Sequence, residues 1–417
     1  MTDQAAIPLY MAREGLAPSA EASALRDSGR LLKVPVTLGS GEAWLVTRYA
    51  DVREVLSDPT RFSNALSAAA AAPLSIGLSD EERARRRKGQ LLAFDPPEHT
   101  RLRRILAPEF TMRRMRVLEP RIAEIVDAQL DELERLGPGA DFMAAFALPV
   151  PSLVICELLG VPAGDRSEFQ ERTSRLLDMS RPREERAQVG RESDTYMRGL
   201  VARALADPGE DILGMLIREH RDELDADALT NIAGMLLTAG HETTANMLAL
   251  GTLALLTSPG ELAALRAGLD DAEQVEAAVE ELLRFLSVAH SGIPRAAVRD
   301  VEIAGQLISA GDQVLFALAP ANRDPDFVED GDRLDVSRKP TPHVAFGHGP
   351  HHCLGAPLAR AEMALAFPAL LRRFPDLALA VPPEEIRFRP FHVVYGVETL
   401  PLTWTRTTGA GTDPQPR

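Results

Sequence analysis

Cysteine is scarce: the 417 residues hold only two, Cys156 and Cys353. Two thiols this far apart make no disulfide framework. That excludes the small cross-linked secreted class and fits a compartment that keeps thiols reduced. Long apolar runs are also lacking. No stretch reaches the roughly 20 apolar residues that span a bilayer, and the longest candidate, 246–256, is about half that. The opening Met1-Thr2-Asp3-Gln4 has neither a basic nor an apolar region of a signal peptide, so the expected location is the cytoplasm, with no membrane partner. Positive charge is in deficit, with 46 Lys and Arg against 61 Asp and Glu and a net charge of -15. That balance argues against a nucleic-acid partner. What remains, 45% hydrophobic and 26% charged residues, is ordinary for a globular protein whose core can enclose a cofactor.

Along the chain, the first thirty residues suggest a short helix or two. Val34, Val36 and Leu38 alternate, Gly39-Ser40-Gly41 turns and Trp44-Leu45-Val46 return, which predicts a β-hairpin over 32–46. A short helix follows over 49–57. Residues 64–80, Ala-rich with Pro73 and Gly77, are expected to be a mobile loop, either a surface linker or a substrate lid. Asp95 is read as an N-cap with Pro96 in the first helical position. Helical periodicity runs through 114–135, 150–159, 165–177 and 184–206. A long apolar helix starts at Asp225 or Asp227 and ends before Pro259; its roughly 30 residues give about 45 Å. Apolar nearly all round, it belongs at the centre. A helix over 271–287, short strands over 298–317 with a turn at Gly305, and an irregular stretch over 320–352 complete the pattern. The last helix begins at Cys353 or just after it, and 407–417 is expected to be a disordered tail. The reading is one domain over 1–406, mainly α with a small β portion.

The strongest local signal is Phe346-Gly347-His348-Gly349-Pro350-His351-His352-Cys353-Leu354-Gly355. The glycines before the cysteine let the backbone turn tightly. Cys353 then sits at the start of a helix, where the dipole and free N–H groups favour a thiolate. A zinc site from His351, His352 and Cys353 lacks a CxxC pair and workable ligand spacing. Cys156, inside the run Leu153-Val154-Ile155-Cys156, reads as a core thiol.

This stretch resembles the cysteine-ligand loop of the cytochrome P-450 family in each defining position. The resemblance implies a triangular-prism fold with the long helix over a haem b, and Cys353 as axial ligand to the iron. A thiolate there pushes electron density onto the iron and favours O–O cleavage. Phe346 would shield the sulfur, Gly347 would allow the turn, and Gly355 would let the helix approach the porphyrin.

Within the long helix, Ala239-Gly240-His241-Glu242-Thr243-Thr244 puts a carboxylate and hydroxyls in apolar surroundings, which is costly unless they bond something. A hydroxyl bonded to a helix carbonyl is the bland account of Thr243. The stretch resembles the family's oxygen-activation element. That implies room for dioxygen at Gly240, a proton relay at Glu242 and a hydrogen bond to oxygen from Thr243. The zinc-protease pattern HExxH fails because Ala245 stands at the second histidine.

Glu281 and Arg284, three apart on a helix face, resemble the family's helix pair, which implies a third member at Arg333. The family prefers Pro-x-Arg-Phe there, whereas this chain has Gly331 and Leu334. Haem carboxylates need buried cations; the resemblance gives that task to His99 and Arg103, four apart on one helix face, and to Arg295 and His351. Pocket positions implied are Ile232, Leu236, Ala239, Val288, Ile293, His392 and Val393, largely small or aliphatic.

The resemblance, closest in wording to actinobacterial members, implies a monooxygenase (hydroxylase or epoxidase) acting on a large apolar molecule, in secondary-metabolite tailoring or xenobiotic oxidation. Electrons would come from a ferredoxin and its NAD(P)H-dependent reductase, for which Arg101, Arg104, Arg113, Arg114 and Arg116 offer a basic patch on an acidic, monomeric chain. A peroxide-driven hydroxylase and a non-enzymatic haem sensor are the rivals.

Overall fold

Asp225 accepts the Ala228 N–H at 2.9 Å and so starts the helix Ala226–Leu256, as an N-cap does by satisfying a free first-turn donor. The computed structural model describes residues 7–36, 41–70, 79–290 and 293–405, and this central helix is its axis. It packs against the helices Pro149–Leu158, Arg183–Ala206, Ala272–Leu286 and Ala356–Arg373. A Cβ on its Gly251 would lie 2.6 Å from the Phe367 ring, so glycine permits the close crossing with the last of these. Among the described residues no single helix is long and apolar enough to cross a membrane.

The small β portion lies to one side. A five-stranded sheet runs in the order Leu32–Pro35, Glu42–Val46, Gln313–Phe316, Arg295–Ala297, Phe62–Ser63. The first pair is the expected hairpin, antiparallel with Val34 opposite Ala43; its expected turn at Gly39 and Ser40 lies outside the described residues. Glu42–Val46 runs parallel to Gln313–Phe316. Gly305, at φ +75°, turns the separate pair Val301–Ile303 and Gln306–Ile308.

The helices expected over 114–135, 150–159, 165–177, 184–206 and 271–287 appear as Met112–Leu136, Pro149–Leu158, Arg166–Leu177, Arg183–Ala206 and Ala272–Leu286. Two expectations fail. Residues 64–70, read as loop, are the helix Asn64–Ala70, while 71–78 lie outside the described residues, as does the expected tail 407–417. Asp95 does not cap the helix that follows it, which starts later at Glu98. Its carboxylate accepts instead from the Ser63 hydroxyl at 2.5 Å and the Asn64 N–H at 2.8 Å, capping a helix whose first residue precedes it by 31 positions.

Candidate functional site

A cavity of about 290 Å³ lies between the central helix and the loop before Ala356–Arg373. On the loop side, Gly347 and Gly349 both take φ +69°, and the Cys353 N–H donates to Phe346 O at 2.9 Å. This closes the turn that presents Cys353 to the cavity, with Gly355 as helix N-cap. Phe346 lines the same wall, and the Arg360 guanidinium stacks over its ring at 4.7 Å. Burial pushes the Cys353 thiol up, against the pull of the Gly355 and Ala356 N–H groups, Arg103 and Arg360. The helix start therefore acts as expected but is outweighed by desolvation.

Opposite, Ala239, Gly240, Thr243 and Thr244 form the central-helix wall. A Cβ on Gly240 would sit 3.2 Å from Ile155 Cγ1. The Thr243 hydroxyl donates to Ala239 O at 2.7 Å, which leaves its lone pairs facing the cavity. Glu242 is not on this wall. It is 0% exposed and its Oε2 accepts from Arg389 Nη2 and Asn246 Nδ2, both at 3.2 Å. Burial pushes its carboxyl up, yet Arg389, His241 and His392 more than offset this and hold it below the ordinary value. The relay position read from sequence is thus turned away and ion-paired. Arg389 was missed because nothing near it in sequence points 147 residues back to Glu242.

The four residues expected to bind the haem carboxylates do converge. Arg103, Arg295 and His351 line the cavity, and the His99 and His351 rings lie 3.9 Å apart. Neither nitrogen of buried His99, nor His351 Nε2, has a hydrogen-bond partner. Burial, then Arg295, His99 and Arg103, push His351 down to about 3, and burial brings Arg295 down to about 10. Donors buried together with no carboxylate bonded to them suit a dianionic edge. Nothing lies within 4 Å of a Cβ on Gly355, as a flat macrocycle over the thiol requires. These residues fit a haem.

Of the expected pocket, Leu236, Ala239, Val288 and Ile293 line the cavity. Ile232, His392 and Val393 do not; Ile232 is buried in helix packing, and His392 Nδ1 is engaged with Val394 at 3.1 Å. Leu91, Met235, Met247 and Leu283 line it unannounced.

Glu281 and Arg284 form the expected pair, 2.7 Å apart and buried. Arg284 also donates to Asn322 O and Gly331 O, so it ties down the irregular stretch. Arg333 is not the third member. Its side chain is 55% exposed and pairs with Asp330 and Asp335. Arg338 Nε reaches Glu281 Oε1 at 3.2 Å instead, because the chain bends back after Asp335, whose own N–H also donates to Glu281.

The apolar cavity between these two walls, with Arg103, Arg295 and His351 at its edge, has a lining that fits a haem, and comparison with known proteins gives the family. The cytochrome P-450 family model matches residues 184–390. Cytochrome P-450 FAS1 of Rhodococcoides fascians is 48% identical over 404 residues, covering 97% of this chain and 100% of that protein. Pentalenic acid synthase of Streptomyces avermitilis is 44% identical, covering 91% and 92%. The crystal structure of CYP105P1 with filipin I superposes with a TM-score of 0.85 at 40% identity, covering 95% and 98%. The chain belongs to the cytochrome P-450 family of haem b monooxygenases.

Proposed function

We propose that this chain inserts one oxygen atom of dioxygen into a large, neutral, apolar organic substrate, as a hydroxylase or epoxidase in secondary-metabolite tailoring or xenobiotic oxidation. The observation that carries the reading is the pair of facing walls, Cys353 on one and Gly240 with Thr243 on the other, lined between by aliphatic side chains such as Leu236, Val288 and Ile293. A charged substrate would lose hydration there without a partner.

In this reading Cys353 would bind the haem iron through its sulfur, His99, Arg103, Arg295 and His351 would hold the haem carboxylates, and Phe346, Gly347 and Gly355 would shape the seat. Bound haem supplies the dioxygen chemistry. The residues do the rest. Gly240 leaves room beside Ile155. The aliphatic wall excludes water that would deliver protons at the wrong atom. Thr243 Oγ1 holds a proton at the cavity, and Glu242 supplies it from behind once it leaves Arg389.

Electrons come from a ferredoxin and its NAD(P)H-dependent reductase. Arg101 and Arg114 are taken up by Glu98 and Glu109, whereas Arg104, Arg113 and Arg116 stand exposed and suit an acidic donor. The chain works as a monomeric single domain over 1–406 in the cytoplasm. Spectral titration against an apolar compound library, followed by turnover of the binders with dioxygen and reduced ferredoxin, tests the reading. Oxygenated product is expected. Product formed only with hydrogen peroxide would assign a peroxide-driven hydroxylase, and none under either condition a haem sensor.

A further inference from the structure

Glu242, Arg389, His392 and His290 meet behind the central helix from three parts of the chain. Each has a buried polar atom with no hydrogen-bond partner: Glu242 Oε1, Arg389 Nε, His392 Nε2 and both ring nitrogens of His290. Buried polar atoms are satisfied as a rule, so such a concentration marks a place where ordered water completes the network. The packing is also built for it. A Cβ on Gly396 would overlap Asn246 Oδ1 and lie 3.0 Å from Arg389 Nη2, so only glycine lets Arg389 and Asn246 meet at 2.8 Å.

The cluster reaches solvent at one edge. Met179 N–H donates to Phe391 O and Val393 N–H to Leu177 O, both at 3.1 Å, which sets Asp178 beside His392. The Asp178 side chain is 30% exposed; His392 is 3% exposed. Burial and Arg389 push the His392 imidazole down, against the carboxylates of Glu242 and Asp178, and Glu242 is followed in the helix by Thr243 on the cavity wall.

We propose that Asp178, His392 and water bonded to Glu242 Oε1 form the route by which solvent protons recharge Glu242. This rests on the reading of Glu242 as proton supplier given above. A proton taken up at His392 Nε2 beside Asp178 makes an imidazolium between two carboxylates. Passed through the bridging water to Glu242 Oε1, it leaves a neutral imidazole and a carboxylic acid. The neutral acid no longer holds the Arg389 guanidinium and is free to turn toward Thr243; once the proton is given up, the carboxylate returns to Arg389. His392 is a positioning residue that acts through Glu242.

The test measures dioxygen consumption by the holoenzyme, driven by NADPH, a ferredoxin and its reductase, in water and in deuterium oxide. His392→Gln is expected to slow it about tenfold, the scale of removing a partner of a functional side chain rather than the side chain itself, and to enlarge the solvent isotope effect. The His392→Gln/Glu242→Gln double variant should be no slower than Glu242→Gln, because the two act in series. Asp178→Asn, at a partly exposed position, should slow the reaction with the same enlarged isotope effect and serves where His392→Gln loses its fold. A crystal structure of the holoenzyme should place ordered water within hydrogen-bond reach of Glu242 Oε1 and His392 Nε2. A dry contact there, or losses that multiply in the double variant, overturns the route. Slow Glu242→Gln beside parental His392→Gln and Asp178→Asn overturns the route alone. Parental Glu242→Gln overturns both the route and the role given to Glu242.

Discussion

On the Cys353 wall, the contacts that aim the functional side chain lie within one loop: the Phe346 carbonyl, two left-handed glycines and the start of the next helix. On the central-helix wall, the Glu242 carboxylate is aimed by Arg389, 147 residues away. The first arrangement is set by backbone conformation and has one solution. The second is an ion pair between side chains, and Glu242 keeps one oxygen bonded and the other unpartnered. One wall is built to hold still, the other to change partners, which suits a ligand site facing a proton donor.

The largest effect is expected from breaking the fixed wall. Cys353→Ala should abolish the far-red-shifted Soret band of the reduced carbon monoxide complex and all oxygenase activity; a parental spectrum in that variant would sink the ligand assignment. On the other wall, Thr243→Ala removes a hydroxyl bonded only to its own helix, so haem content and the carbon monoxide spectrum should persist. Product should fall roughly 10²-fold, the usual size of one acid–base contribution, with reductant diverted to hydrogen peroxide. Unchanged coupling of reductant to product would refute a proton role for Thr243.

The same division explains what could be read before the fold was known. The central helix, the hairpin, the cysteine loop, the Glu281–Arg284 pair and the four converging residues rest on periodicity, turn residues and spacings of a few positions, and family resemblance supplied their roles. Where the partner is distant, the reading went astray. Asp95 looked like the cap of its own neighbour and caps Asn64–Ala70 instead. Glu242 was identified but not its direction. His392 and Val393 lie outside the cavity, because a segment's position along the chain does not say which side of the central helix it passes.

The Glu281 helix offers a milder way to test the fixed side. Glu280 bonds Arg360 at 2.5 and 2.9 Å, joining this helix to the one that begins at the cysteine loop. Burial pushes its carboxyl up, but Arg360 and His343 prevail and hold it down to about 2 from an ordinary 4.5. A folded value below the unfolded one gives stability that is full above about pH 4.5 and lost as pH falls toward 2. At about 1.4 kcal/mol for each pH unit of difference, the contribution is about 3.5 kcal/mol. Glu280→Gln should lower the thermal midpoint at pH 7 and flatten its decline between about pH 4.5 and 2, the window between the unfolded and folded values of the parent's carboxyl. An unchanged acid limb would show that the ion pair contributes nothing.

The smallest effects distinguish two arginines five residues apart. Arg338 is 15% exposed and its Nε bonds Glu281, which is 2% exposed; Nη1 also donates to Glu329 O at 2.9 Å. Removing it strips a charge-assisted hydrogen bond from a buried carboxylate that keeps only Arg284 and one backbone N–H, a loss of about 2 kcal/mol. Arg333 bonds Asp330 and Asp335 from a side chain 55% exposed, where water screens such pairs and leaves them little net effect on stability. Its part in the buried group is its carbonyl, which accepts from Arg284 at 3.3 Å and survives substitution. Denaturant unfolding should therefore show a clear loss in Arg338→Ala and almost none in Arg333→Ala, with haem affinity falling in the first alone, because the stretch that Arg338 pins leads directly into the cysteine loop. Equal losses would mean that the irregular stretch is held by its surface ion pairs as much as by the buried triad, and the reversed order would return Arg333 to the place the sequence first suggested.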